Sequence, residues 1–165
     1  MDVQRRYIEI KMQEDGVKKM NYRVVLCIVL PIMTMVYGIS VNFQVFLSGS
    51  PATFKNFIVT IVCLVIWILC IVISFKAESK AVMKFYSIIW ILTLGLAGLT
   101  AYINFLDTTI NVGWAIPFAI LFLTQWIGLN FLFDSYLLTS IITIFISLMM
   151  FIAIISIMKR WMKVA

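Results

Sequence analysis

The residues best placed to do chemistry lie in and just after an apolar stretch, 112–132, VGWAIPFAILFLTQWIGLNFL. Its 21 residues carry no charge, yet they include Pro117, Gln125, Gly128 and Asn130. A side-chain amide in hydrocarbon must find a partner, so a segment of this kind belongs at the centre of a helical bundle. Beyond Asp134, Thr139, Thr143 and Ser147 recur at i, i+4 and i+8 with Ser140 beside them, which places their hydroxyls on one helix stripe. If the two segments pair as an antiparallel hairpin about Asp134, Gln125, nine residues before it, meets Thr143, nine after. Gln125, Asn130, Thr139, Ser140 and Thr143 then form a candidate polar lining. Two uses are open to it. The hydroxyls can bond their own helix and satisfy Gln125, at about 0.6 kcal/mol per contact, or they can line a polar path or substrate pocket. The first is the commoner use of such residues.

A second polar set, Asn42, Gln44, Asn104 and Asp107, with Asn111 near it, gathers at segment ends as a candidate outer recess. Helical spacing also brings together Gly95, Ala97, Gly98 and Ala101, a small-residue pattern that lets helix backbones approach closely. It does not separate packing within one chain from association of two chains.

What is missing is more decisive. The chain has no His, so a Ser-His triad, a His-ligated haem and an HExxH metal site are all excluded within it. Past the N-terminal tail the carboxylates are Glu78, Asp107 and Asp134, all in connections, which argues against an intramembrane acid pair. No charge falls at a segment centre, as a proton relay would need. There is neither a GxxxxGKS phosphate loop nor a Gly-rich dinucleotide turn. Cys27, Cys63 and Cys70 sit in apolar runs without a CxxC spacing and read as small buried hydrophobes. No cofactor and no metal are expected.

These side chains must be positioned by membrane helices. The 165 residues are 64% hydrophobic and 12% charged, against about 45–50% and 25% in soluble domains. Five apolar segments, roughly 24–46, 57–75, 83–106, 112–132 and 136–158, each approach the ~20 residues that cross a bilayer as a helix. The fold expected is all-α: a polytopic membrane protein, a compact bundle of about five transmembrane helices. Residues 24–158 form its one domain, between a mixed-charge tail (1–23) and a short basic tail (159–165). The links are short, so sequential helices should pack side by side and antiparallel. Val3, Tyr7 and Ile10 recur at helical spacing in the first tail, where Gly16 could end a helix; a solvated, partly helical tail is preferred to one lying on the membrane. The first apolar run is span-length rather than a short signal core, so no cleaved leader is expected.

Thirteen Lys and Arg orient the bundle. With the N-terminus cytoplasmic, five alternating spans place nine of them inside and four outside; the opposite choice reverses the ratio. One conflict remains, because the basic KRWMK end then falls outside. Either that tail is tolerated there, or one segment is re-entrant and the C-terminus is cytoplasmic. Tyr22, Tyr86 and Tyr136 should mark the inner interface and Tyr102 and Trp114 the outer one, with Trp67, Trp90 and Trp126 packed between helices.

The net charge of +6 sits outside the apolar segments and forms no groove-sized face, so no nucleic-acid partner is expected. Twenty-seven Ile against nine Ala hint at an AT-rich, bacterial source. The function expected is that of a non-enzymatic plasma-membrane protein acting through helix–helix contacts. Its partners would be the lipid bilayer and another membrane protein, in an accessory or protective role, or a second copy of itself. The alternative is a small oligomeric transporter or channel lined by the fourth and fifth helices.

Overall fold

The computed structural model describes residues 2–106 and 112–164, with side chains over 22–106 and 112–161. Asp107 and Asn111 of the expected outer recess lie outside the described residues. The fold is all-α, with no strand among the described residues and five helices long and apolar enough to cross a membrane. We number these α1 (Asp2–Ser48), α2 (Phe54–Lys76), α3 (Lys80–Leu106), α4 (Gly113–Phe133) and α5 (Tyr136–Val164). The chain is a membrane protein.

The helices begin and end where local chemistry allows. Thr53 caps α2 in an extended conformation and donates its N–H to Asn56 Oδ1 (2.9 Å), one half of a capping box. Gly49 closes α1 at φ 64°, and Asp134 ends α4 at φ 45°, a left-handed position that Asp tolerates better than most residues. Gly16 does not end a helix: α1 runs unbroken from the tail into its membrane span, Tyr22–Ser48. Pro31 sits inside α1 and cannot bond the carbonyl of Cys27; the Tyr86 hydroxyl from α3 donates to that oxygen instead. Tyr86 is therefore fully buried rather than at an interface.

Packing departs from simple sequential order. α1 and α2 do lie side by side and antiparallel, meeting at Asn42 with Asn56, Thr34 with Cys63, and Cys27 with Cys70. The chief partner of α3, however, is α5, and α2 meets α3 mainly through side chains: Trp67 packs on Tyr86 and Trp90 at centroid separations of 5.5 and 5.4 Å. Into the space between these two pairs goes α4, and residues 122–130 are buried without a break. Two glycines admit it. A Cβ on Gly128 would lie 2.1 Å from the Asn56 carbonyl oxygen, and one on Gly38 would lie 2.9 Å from Gln125 Cβ.

The directions of the helices bear on the two alternatives for the basic tail. Along α2, Phe131 meets Phe54 and Phe57, Gly128 meets Asn56 and Thr60, and Gln125 meets Thr60 and Trp67. The second half of α4 is thus antiparallel to α2 and parallel to α1. The start of α5 meets the end of α1, where Tyr136 Oη donates to the Ser50 carbonyl (3.0 Å). Its far end meets the end of α2, where Trp161 stacks on Phe75 at 6.1 Å. Both chain ends therefore lie at one end of the bundle. Helices α1, α2, α3 and α5 alternate through the bundle, whereas α4 has its C-terminal end at the same end of the bundle as that of α3, the arrangement of a re-entrant segment. Tyr136 consequently lies at the end opposite the N-terminal tail, not beside it.

Candidate functional site: a polar seam and a cavity around the fourth helix

The site follows from a change of winding in α4. Residues Ile116–Leu123 are α-helical, Thr124–Leu129 tighten to 3-10, and Asn130–Phe133 return to α. A 3-10 turn has poorer hydrogen-bond geometry than an α turn and rarely lasts six residues unaided. Here neighbouring helices support it. Asn42 Nδ2 from α1 donates to the Thr124 carbonyl (3.1 Å), and Thr60 Oγ1 from α2 donates to the Gln125 carbonyl (2.8 Å). Asn56 Nδ2 donates to Asn42 Oδ1 (2.8 Å) and fixes that amide in turn. The Gln125 side chain accepts from Trp67 Nε1 and donates to the Phe122 carbonyl, both at 3.4 Å.

Gln125 and Thr143 are not partners. A 3-10 helix advances ~120° per residue against ~100° in an α-helix, so five such steps back from Asn130 swing Gln125 by about 100° away from α5. It faces α1 and α2. The hairpin geometry does hold nearer the turn, where Thr139 Oγ1 donates to Asn130 Oδ1 (3.4 Å). Thr143 and Ser140 donate within α5, to the Thr139 and Tyr136 carbonyls, each at 2.8 Å.

The outer set is also divided. Asn42 is wholly buried in the seam, while Gln44 and Asn104 are exposed and Asn104 Nδ2 bonds its own helix at the Thr100 carbonyl (2.7 Å). In the small-residue set, Ala97 is buried and Ala101 half-buried, but Gly95 and Gly98 face open space with no atom within 4 Å of an added Cβ. Asn56 and Thr60 carry much of the seam and were not singled out from sequence. Their signal was available, since Asn56 follows Thr53 at capping-box spacing and Thr60 lies one turn on.

Beside the seam is a half-open cavity of about 410 Å³ at the end of the bundle away from the chain termini. Thr100 and Asn104 of α3 and Tyr136, Thr139, Ser140 and Thr143 of α5 supply its polar wall. Phe46 and Leu47 of α1 and Leu123 and Ile127 of α4 supply its apolar wall. Trp126 also lines it, and its ring packs on Trp90 at 5.6 Å. Trp67, Tyr86, Trp90 and Trp126 are all at most 2% exposed and together close the bundle beneath the cavity.

Cys27, Cys63 and Cys70 are buried and unpaired by disulfides, and among the described residues no three Cys, Asp or Glu side chains converge as metal ligands. Comparison with known proteins finds no match: no family model, no curated protein and no solved structure matches this chain.

Proposed function

We propose that this protein is a non-enzymatic, multi-pass plasma-membrane protein of a bacterium that works through contacts made inside the bilayer, as an accessory or protective partner of another membrane protein. The observation that carries the reading is how the polar groups of α4 are used. Gln125 and Asn130, the side chains that would serve a transport path, are 1% and 2% exposed and are hydrogen-bonded to neighbouring helices. By contrast, an apolar groove of about 340 Å³ lies on the flank of α3 and α4, edged by Ile91, Gly95, Leu99, Trp114 and Phe118. The open Gly95 lets a partner backbone come close at that groove.

Orientation belongs to the same proposal. With both chain ends together, twelve of the 13 basic residues gather at one end of the bundle and Lys55 stands alone at the other. That asymmetry supports the reading that both ends of the chain are cytoplasmic. The cavity favours the second reading, a small oligomeric transporter with Thr139, Ser140 and Thr143 in its lining.

In-cell crosslinking followed by purification in mild detergent separates the two. A stoichiometric foreign membrane protein, lost in Gly95→Leu/Gly98→Leu and retained in Thr139→Val/Thr143→Val, is the expected result. A bare homo-oligomer whose flux activity disappears in the threonine variant would replace this reading with the transporter.

A further inference from the structure

The cavity carries an inference of its own, independent of the partner reading. Its hydroxyl groups all donate inward. Thr100 Oγ1 donates to the Leu96 carbonyl (2.9 Å), Ser140 Oγ to the Tyr136 carbonyl (2.8 Å) and Thr143 Oγ1 to the Thr139 carbonyl (2.8 Å). Thr139 Oγ1 donates to Asn130 Oδ1 (3.4 Å) and Tyr136 Oη to the Ser50 carbonyl (3.0 Å). A hydroxyl has one proton and two lone pairs. With the protons committed to the protein, these oxygens keep their accepting capacity for a guest.

Among the described residues no charged side chain lines the cavity. The described lining is therefore uncharged and holds more acceptors than donors: Asn104 keeps one N–H beyond its bond to the Thr100 carbonyl, Trp126 Nε1 has no partner among the described residues, and an apolar wall stands opposite the polar one. Such a wall offers a phosphate few donors and, among the described residues, no cation. An ammonium head finds no counter-charge within the described lining itself, although Asp134 acts on the lining Tyr136. The lining suits a guest that donates hydrogen bonds, carries no charge and brings hydrocarbon. The volume falls within the range of small-ligand sites, and the cavity lies in a membrane-embedded bundle.

We infer that the cavity between α1, α3, α4 and α5 binds the hydroxylated head of an uncharged lipid, a diacylglycerol or a glycosylated diacylglycerol. The head hydroxyls donate to Thr100, Ser140 and Thr143, and the hydrocarbon rests against Phe46, Leu47, Leu123 and Ile127.

The test uses the full chain in phosphatidylcholine nanodiscs with a diazirine-bearing diacylglycerol, and maps the labelled residues by mass spectrometry. Labelling is expected on the segments holding Phe46, Leu47, Leu123 and Ile127. Unlabelled dioleoylglycerol and glucosyl-dioleoylglycerol should suppress it at least about fivefold, and dioleoyl phosphatidic acid, with the same hydrocarbon, should not. Ser140→Ala/Thr143→Val removes two acceptors while keeping shape and should lower labelling about tenfold at an unchanged melting temperature. If that variant fails to fold, the competition series on the unaltered protein decides. Equal competition by phosphatidic acid, or labelling spread evenly over all lipid-facing helices, overturns the proposal. Competition by free glucose without competition by dioleoylglycerol also overturns it, in favour of a soluble sugar.

Discussion

Single residues decide how closely the helices of this protein meet. Gly128→Ala puts a methyl group onto the Asn56 carbonyl, where backbone on both sides resists movement. A loss of about 2–4 kcal/mol is expected, read as a large fall in melting temperature in detergent. Gly95→Ala and Gly98→Ala meet nothing within 4 Å and should leave stability unchanged or slightly raised, since alanine is the better helix former. If the two sets of variants behave alike, the seating of α4 against α2 is wrong. Thr60→Val leaves the buried Gln125 carbonyl without its donor and should cost about 1–3 kcal/mol, whereas Thr143→Val loses only a bond to its own helix and should cost less. Tyr86 and Pro31 act as a pair. Tyr86→Phe should cost about 1–2 kcal/mol, and clearly less when Pro31→Ala has restored an N–H to the Cys27 carbonyl. Additive costs in that double-mutant cycle would contradict the pairing.

At the scale of helices, hydropathy and length located all five. Pro117 lies in the first turn of the α-helical part of α4, where its missing N–H costs nothing, and Pro31 leaves a carbonyl for another helix. The polar character of 112–132 also pointed to its burial. What failed was register. Pairing Gln125 with Thr143 assumed one uniform α-helix, and no residue type announces six residues of 3-10 winding whose stability comes from side chains of two other helices. The small-residue pattern marks where backbones are able to approach, not which neighbour stands there: Ala97 is buried, Gly95 and Gly98 are open, and the isolated Gly38 and Gly128 lie at close approaches the pattern does not include. Asn42 was assigned to a water-facing end because its position along α1 suggested one. Its burial depends on α4 entering beside it, a tertiary fact with no local signature. The element-scale prediction follows from that dependence: Asn42→Leu removes the support of the Thr124 carbonyl and should loosen Thr124–Leu129 selectively. Hydrogen exchange in nanodiscs should rise there while α3 and α5 stay protected. Uniform change across the bundle would mean that the seam does not hold the 3-10 winding.

For the molecule as a whole, one arrangement joins the charge pattern to the packing. Counting basic residues over five alternating spans left the last tail on the wrong side, and composition alone cannot say which helix fails to alternate. The contacts of α2 with both α1 and α4, and of α5 with the ends of α1 and α2, do say so. Turning α4 back gathers the basic residues at one end and frees the other for the cavity. The most direct test is cysteine accessibility in intact cells, in a background with Cys27, Cys63 and Cys70 replaced by alanine. Single cysteines are placed at Ser50, Ser79, Ser135 and Lys163 and challenged with a membrane-impermeant maleimide before and after permeabilisation. Ser50→Cys and Ser135→Cys should label in intact cells, and Ser79→Cys and Lys163→Cys only once the membrane is opened. Five alternating crossings would instead put Ser135→Cys with Ser79→Cys and Lys163→Cys with Ser50→Cys, and that result would contradict the account.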